Sequence, residues 1–355
     1  MLTYVIRRLL LILPTLLGIT VMVFAIMAMA PGGVGASLLT RSGDMRPEER
    51  AAMEAYLNQR YGLNESLPTQ YLRWLNRVSP VGFRTDADNQ PDGFGFKAPD
   101  LGMSFAKNRP VTDLVAAALP ITLLMNALSL PIVFVMSIVM GVYTARFRGR
   151  ALDVGISTAN LALWSIPVIW MLLIGLLASE EYLHLFPTSG LESLRADRWT
   201  FLPFTGDTGW QRGYLLDVLW HLVLPVICLT YTGFAFLTKL TRSAVLENLQ
   251  TDYARTARAK GVSESGVLWR HVFRNSLLPL ITVAASILPG LLVGSVIVES
   301  IFSIDGMGRL VVEAVQLRDR EVVLSITLIT ALMTLISYLI VDICYAVADP
   351  RVSFE

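Results

Sequence analysis

The sequence predicts an all-α polytopic membrane protein with six transmembrane helices, and three observations carry that prediction. Of 355 residues, 54% are apolar and only 16% are charged, with a mean hydropathy of +0.56, whereas about a quarter of a soluble domain is charged. Six apolar runs approach or exceed the roughly 20 residues that a helix needs to cross a bilayer core: Leu9 to Ala30, Leu114 to Ala145, Val154 to Ala178, Leu219 to Leu237, Leu277 to Val298 and Val323 to Val347. Three clusters of basic residues, before span one, after span two and between spans four and five, fall on one side of the resulting weave.

The first run follows Arg7 and Arg8 and closes with Ala28-Met29-Ala30, features shared with a cleaved secretory signal. Its apolar stretch exceeds the roughly 7 to 15 residues of a signal core, and Pro31 would follow the cut, where its ring hinders a peptidase. Residues 1–30 are therefore read as a cytoplasmic N-terminus and retained anchor helix, and residues 31–113 as an external segment. Residues 114–355 carry the remaining spans. Pro120 and Pro131 lie in the second run, which is longer than one crossing requires.

The external segment has ten basic and ten acidic residues, so it does not contest the charge asymmetry. Pro47 with Glu48 and Glu49 predicts a helix start, with Met53, Tyr56, Leu57 and Tyr61 on one face and Gly62 at its end. Tyr71, Trp74, Leu75 and Val78 predict a second short helix, and Asp86 to Asp100 an extended loop. These helices read either as a cap lying on the membrane or as a docking surface for a soluble partner. Arg7 and Arg8, then Arg146, Arg148 and Arg150, then the cations from Lys239 to Arg274 all share one side, which the positive-inside rule makes cytoplasmic, with both termini inside.

A net charge of +1 supplies no field that would gather nucleic acid. Cys228 and Cys344 each lie in an apolar run and build no disulfide framework. His184, His221 and His271 sit in separate segments without ligand spacing, so no metal site is expected. The chain has no G-x-x-x-x-G-K-[ST], H-E-x-x-H or G-x-S-x-G, and no catalytic residue is assigned. Glu299 and Asp342 are carboxylates near the ends of spans five and six, readable as a proton or ion pathway or as structural groups.

The loop 239–276 is longer than a link between spans requires. Asp252 charges the start of a first short helix, Arg258 and Lys260 complement its end, and Gly261 turns the chain. Ala254, Ala257 and Gly261 leave one face nearly without side chains, which permits close approach of another backbone; a solvated amphipathic loop is the alternative. Ser263 caps a second helix, with Val267, Leu268 and Val272 as its apolar stripe. In the fifth run Ser286, Gly290 and Gly294 recur every four residues, a small-residue stripe for helix packing within this chain or against another.

The run Asp252-Tyr253-Ala254-Arg255-Thr256-Ala257-Arg258-Ala259-Lys260-Gly261, continued by His271-Val272-Phe273-Arg274-Asn275-Ser276-Leu277-Leu278-Pro279, resembles the coupling motif of bacterial ABC importer permeases. It lacks the leading Glu of the broad motif, with Thr251 and Asp252 in its place. Tyr4 to Leu9, Ala30-Pro31-Gly32, Tyr61-Gly62-Leu63-Asn64, Leu101-Gly102-Met103-Ser104, Phe302 to Gly308, Arg318-Asp319 and Asp349-Pro350-Arg351 extend the resemblance to the dipeptide, oligopeptide and nickel branch, and to its first permease. Residues 79–99 look like an insertion relative to the shorter dipeptide permeases, and the ending from Asp342 to Glu355 leans toward importers of microcin C-like peptides.

The resemblance implies a type I importer permease fold in the bacterial inner membrane. It implies as partners a second homologous permease, two P-loop ATPases or one fused ATPase, and a periplasmic or lipid-anchored substrate-binding protein. ATP and Mg would be bound on the ATPases and no cofactor by this chain. Asp252, Tyr253, Ala254, Thr256, Ala257, Ala259 and Gly261 would form the ATPase-coupling helix. The expected cargo is a peptide, with nickel as the second choice. The competing class is a stand-alone secondary transporter or channel, which would need an ion site or charged filter.

Overall fold

A computed structural model of the chain describes residues 2–29, 64–85, 91–104, 106–170, 185–194, 199–206, 209–287 and 294–348, with the single residues 48, 55, 175, 196 and 290. Among the described residues three helices are long and apolar enough to cross a membrane: α3 (Val111–Arg146), α5 (Gly213–Leu249) and residues Arg320–Asp342 of α12 (Arg320–Ala348). Helix α1 (Leu2–Met29) contains a shorter apolar stretch, Leu10–Ile26. The chain divides into two compact units, one of residues 1–119 and 310–336, the other of residues 120–309 and 337–354.

In the first unit, α2 (Leu67–Val78) carries Pro68 in its first turn, where a fixed φ is suited. Its Tyr71, Trp74, Leu75 and Val78 stripe packs as expected, with Trp74 and Val78 buried against Phe24 of α1 and Leu324 of α12. The Phe24 ring meets Tyr71 edge-on at 5.4 Å, Thr20 Oγ1 lies 3.0 Å from the Tyr71 hydroxyl, and the Arg320 guanidinium sits 4.3 Å from the Phe24 centroid. The expected helix from Pro47 to Gly62 lies outside the described residues, apart from the single positions Glu48 and Ala55, which are helical.

The extended loop expected over Asp86 to Asp100 is corrected in part. Residues β2 (Pro91–Phe96) pair antiparallel with β1 (Val81–Thr85), with Val81 opposite Phe96 and Phe83 opposite Phe94. Apolar residues alternate along both strands, and this period of two prevails over the Gly, Asp and Pro content. A two-residue ladder joins β3 (Met103–Ser104) to β4 (Arg109–Pro110) just before α3.

The same unit gathers the Leu101-Gly102-Met103-Ser104 motif onto the start of α12. Ser104 Oγ donates to Asp319 Oδ2 at 2.6 Å, the Ala106 N–H donates to the same oxygen at 3.1 Å, and Ser325 Oγ donates to the Leu101 carbonyl at 2.9 Å. Gly102 has φ +80°, and a β-carbon there would lie 2.5 Å from Glu321 Oε2, so this loop requires glycine. Glu321 pairs with Arg77 of α2 at 3.3 Å.

In the second unit, α4 (Ala151–Ser165) covers the start of the third apolar run; residues 171–174 and 176–184 lie outside the described part. The fifth run is not one helix. Helix α9 is described over Leu278–Ile287, Gly294 adopts φ +75°, and α10 (Val296–Ile301) follows. A β-carbon on Gly294 would fall 2.4 Å from Glu299 Oε1 and 2.8 Å from the Gly308 nitrogen, so this glycine serves a turn. Of the small-residue stripe Ser286, Gly290, Gly294, the last member therefore lies in a turn and not on a helix face, and residues 288, 289 and 291–293 between its members lie outside the described part. Gly290 has nothing within 4 Å of its would-be β-carbon. Close packing of small residues occurs instead between α3 and α5: a β-carbon on Gly141 would lie 2.4 Å from Thr241 Cβ, and one on Gly233 2.7 Å from Val133 Cγ1. A strand pair, β5 (Phe204–Gly206) with β6 (Gly209–Gln211), precedes α5.

Candidate functional site

The loop after α5 folds as α6 (Asp252–Ala259), α7 (Glu264–Gly266), a π-helix (Val267–Val272) and α8 (Phe273–Ser276), which leads directly into α9. Thr251 is the extended N-cap of α6. The C-terminus closes with paired backbone bonds, Val262 N–H to the Ala257 carbonyl at 3.2 Å and Gly261 N–H to the Arg258 carbonyl at 2.9 Å. This is the Schellman arrangement, and Gly261 at φ +80° supplies its left-handed residue. Ser263 caps the next helix as expected, its hydroxyl accepting from the Gly266 N–H at 3.3 Å.

Ala254 and Ala257 are buried, at 0% and 6% exposure, in a cluster with Val142 and Ala145 of α3, Val245 of α5, and Val267, Leu268 and Val272 of the π-helix. The nearly bare face of α6 is therefore its inner face, filled by this chain's own helices, which corrects the expectation that it admits another backbone. Asp252, Tyr253, Arg255, Thr256, Arg258, Ala259, Lys260 and Gly261 are exposed on the outer side. Tyr253 donates to Asn248 Oδ1, and Arg258 bridges from Glu264 at 2.9 Å to the Leu249 carbonyl at 3.3 Å. Asn248 Nδ2 donates to Ser276 Oγ at 3.2 Å, and the Ser276 hydroxyl is buried between the Val272 and Ala244 carbonyls. Both ends of the loop are thus clasped to the last turns of α5.

A second fastening went unread in the sequence. Asp153, at the start of α4, takes Arg242 of α5 in a two-pronged pair, Nε to Oδ1 at 2.9 Å and Nη2 to Oδ2 at 2.8 Å, and also accepts the Gly149 N–H at 2.9 Å. The Arg242 hydrogen bonds, joined by that backbone N–H, hold the Asp153 carboxyl below the usual carboxylate range. These partners lie 89 residues apart, and the one local signal was an acidic residue in a first helical turn.

Glu299 is buried and enclosed by donors. Oε1 accepts from Thr122 Oγ1 at 3.2 Å and the Ser295 N–H at 3.1 Å, and Oε2 accepts from the Arg309 N–H at 2.9 Å. Thr122 Oγ1 in turn accepts the Met307 N–H at 2.8 Å. The carboxylate caps the start of α11 (Met307–Gln316), the structural alternative read from the sequence. Asp342 is half-buried in α12. His221 is buried within α5, with Nδ1 2.9 Å from the Asp217 carbonyl one turn earlier.

Apolar helices of spanning length, with a helical loop fastened to the end of one of them and exposing Arg255, Arg258 and Lys260, are features of a helical membrane protein. Residues 137–354 match the family described as binding-protein-dependent transport system inner membrane component, and residues 1–126 match its N-terminal membrane component. The chain belongs to this family. It is 36% identical over 355 residues to the oligopeptide transport system permease protein AppB of Bacillus subtilis, covering 100% of both chains. The di/tripeptide transport system permease protein DppB of Pseudomonas aeruginosa is 33% identical over 361 residues, covering 100% of both. The peptidoglycan transport system permease protein YejB of Agrobacterium fabrum is 33% identical over 373 residues, covering 99% of this chain and 98% of its own.

Proposed function

We propose that this permease conducts peptides inward across the bacterial inner membrane, driven by ATP hydrolysed on partner subunits. Its relatives are named oligopeptide and di/tripeptide transport permeases, which supports a peptide cargo. The proposed assembly pairs it with a second homologous permease, two P-loop ATPases or one fused ATPase, and a periplasmic or lipid-anchored substrate-binding protein. Six crossings with both termini cytoplasmic would place residues 31–113 outside and the loop 239–276 inside, the fifth crossing being a broken helix.

The observation that carries the mechanism is the rigid seating of α6. Its inner face is cemented by Ala254 and Ala257 to α3, α5 and the π-helix, and the loop continues without a linker into α9. A push on the exposed residues Asp252, Tyr253, Thr256, Ala259 and Gly261 would move this block as one body and tilt α9, so that ATPase closure switches access to the pathway. Here Ala254 and Ala257 act as positioning residues.

The test is to tag the chain in its own bacterium, extract it in mild detergent and identify what accompanies it by mass spectrometry. Recovery of P-loop ATPases and a second permease is expected, with the ATPases lost and the second permease retained in an Ala259→Trp variant that still inserts. Recovery of the chain alone, with peptide uptake persisting after ATP depletion while the proton gradient is intact, would overturn the reading in favour of a secondary transporter.

A further inference from the structure

The β1–β2 hairpin presents an uncovered aromatic face. Val81 opposes Phe96 and Phe83 opposes Phe94, so the four side chains share one side of the ribbon. They are 41%, 79%, 57% and 70% exposed respectively, and the Phe83 and Phe94 rings stack edge to face at 5.5 Å. Together they leave roughly 400 Å² of apolar surface open, as large as the biggest patch of a typical soluble monomer.

The other side is built differently. Gly82 and Gly95 face each other there, with Arg84 lying over Gly95 and Lys97 beside Gly82. Asn76 of α2 grips β1 by accepting the Phe83 N–H at 2.9 Å and donating to the Phe83 carbonyl at 3.1 Å. A β-carbon on Gly82 would fall 2.3 Å from Asn76 Oδ1, so the glycine side is the one docked on α2 and the aromatic side points away.

The place of this ribbon follows from its root. Val78, at the end of α2, is buried in the same cluster as Phe24 of α1. About 7.5 Å of helix separates Phe24 from Met29 at the end of α1, and the three residues from Val78 to Val81 reach at most about 10 Å. The ribbon therefore begins near the level at which the apolar surface of α1, with Val21, Met22 and Ile26 exposed, gives way to polar sequence. Exposed aromatic residues suit that boundary, with the rings in the acyl edge, while Arg84 and Lys97 on the other side brace the ribbon by donating to the Phe96 and Phe83 carbonyls.

We propose that the hairpin is a membrane-interface anchor whose Val81, Phe83, Phe94 and Phe96 face dips into the lipid beside α1. The proposal rests on α1 crossing the bilayer. The probe is an environment-sensitive fluorophore on Phe94→Cys or, as the reference, on Met22→Cys in the apolar stretch of α1. The full chain, with the subunits that accompany it, is placed in nanodiscs of phosphatidylcholine and phosphatidylglycerol with or without brominated acyl chains. Unsubstituted protein sets background labelling.

Loss of emission on brominated lipid at both positions is expected, together with loss of the Phe94 quenching in a Phe83→Ser/Phe96→Ser background. Quenching at Met22 with none at Phe94 overturns the proposal alone. A Phe94 signal blind to bromine but blue-shifted by added substrate-binding protein overturns it in favour of a protein interface. No quenching at either position removes α1 from the bilayer, and the proposal with it.

Discussion

Glu299→Gln keeps the size of the side chain and changes only what it can accept. Glu299 is 1% exposed, with both oxygens receiving donors: Thr122 Oγ1 and the Ser295 N–H on one, the Arg309 N–H on the other. Glutamine offers one oxygen and one NH2. With its oxygen toward Ser295, the NH2 meets the Arg309 N–H head on; flipped, it meets the Ser295 N–H and the Thr122 hydroxyl. Either way a buried backbone donor loses an ionic acceptor worth about 1.5–3 kcal/mol and keeps its desolvation cost, so about 2–5 kcal/mol of stability is lost.

Unfolding of purified protein by graded SDS in mild detergent, followed by circular dichroism, reads that difference. A companion, Gly306→Ala, would place a β-carbon 2.6 Å from the Glu299 carboxyl carbon and should lose about 1–3 kcal/mol by crowding the same site. A Glu299→Gln protein within about 0.5 kcal/mol of the parent would refute the capping argument. If that stable protein had also lost uptake, Glu299 would belong to a proton or ion pathway instead.

Asp153→Asn or Arg242→Met should each lower stability by about 2–3 kcal/mol, less than for a fully buried pair because Arg242 keeps some water, and the double variant should lose less than the sum. Since the Asp153 carboxyl titrates lower in the folded state, its contribution is complete above the usual value of 3.8 and vanishes as pH falls through the lowered one. The melting gap between parent and Asp153→Asn should thus hold steady above about pH 5 and close in acid. Ala257→Leu should reduce stability by about 1–3 kcal/mol by overfilling the inner face of α6, whereas Ala259→Trp should leave the melting curve unchanged and abolish uptake. Ser104→Ala should lower the melting temperature by removing the 2.6 Å hydroxyl donor from buried Asp319, a loss of about 1–3 kcal/mol.

Local periodicity was readable in the sequence and distant complementarity was not. The Tyr71, Trp74, Leu75 and Val78 stripe and the Ser263 cap are relations between residues within a turn or two, and both fold as written. Val267, Leu268 and Val272 are buried although the segment winds as a π-helix, because the wider turn still brings them to one side. The β1–β2 hairpin escaped because Gly, Asp and Pro dominate its composition while the informative signal was two short alternations. Ser104 with Asp319, 215 residues apart, leaves no trace in any local window. Gly294 illustrates the opposite case, since its spacing of four from Gly290 suggests a helix face while its φ of +75° puts it in a turn.

Helix α6 shows how the same limit bears on function. A face of alanines states that something comes close, and leaves open whether that something is another protein or the chain itself. Val142 and Ala145, more than a hundred residues earlier on α3, decide the question by filling the space. The consequence is mechanical. Had the small face been the docking face, α6 would touch its own chain mainly through longer, exposed side chains, and a push would be absorbed in their rotamers. With the alanines inward, backbone packs near backbone, the Schellman bonds fix the exit, and Ser276 with Asn248 ties the return strand to α5. Force applied at Tyr253, Thr256 or Ala259 would then pass through packed backbone toward α9, as the proposed coupling role requires.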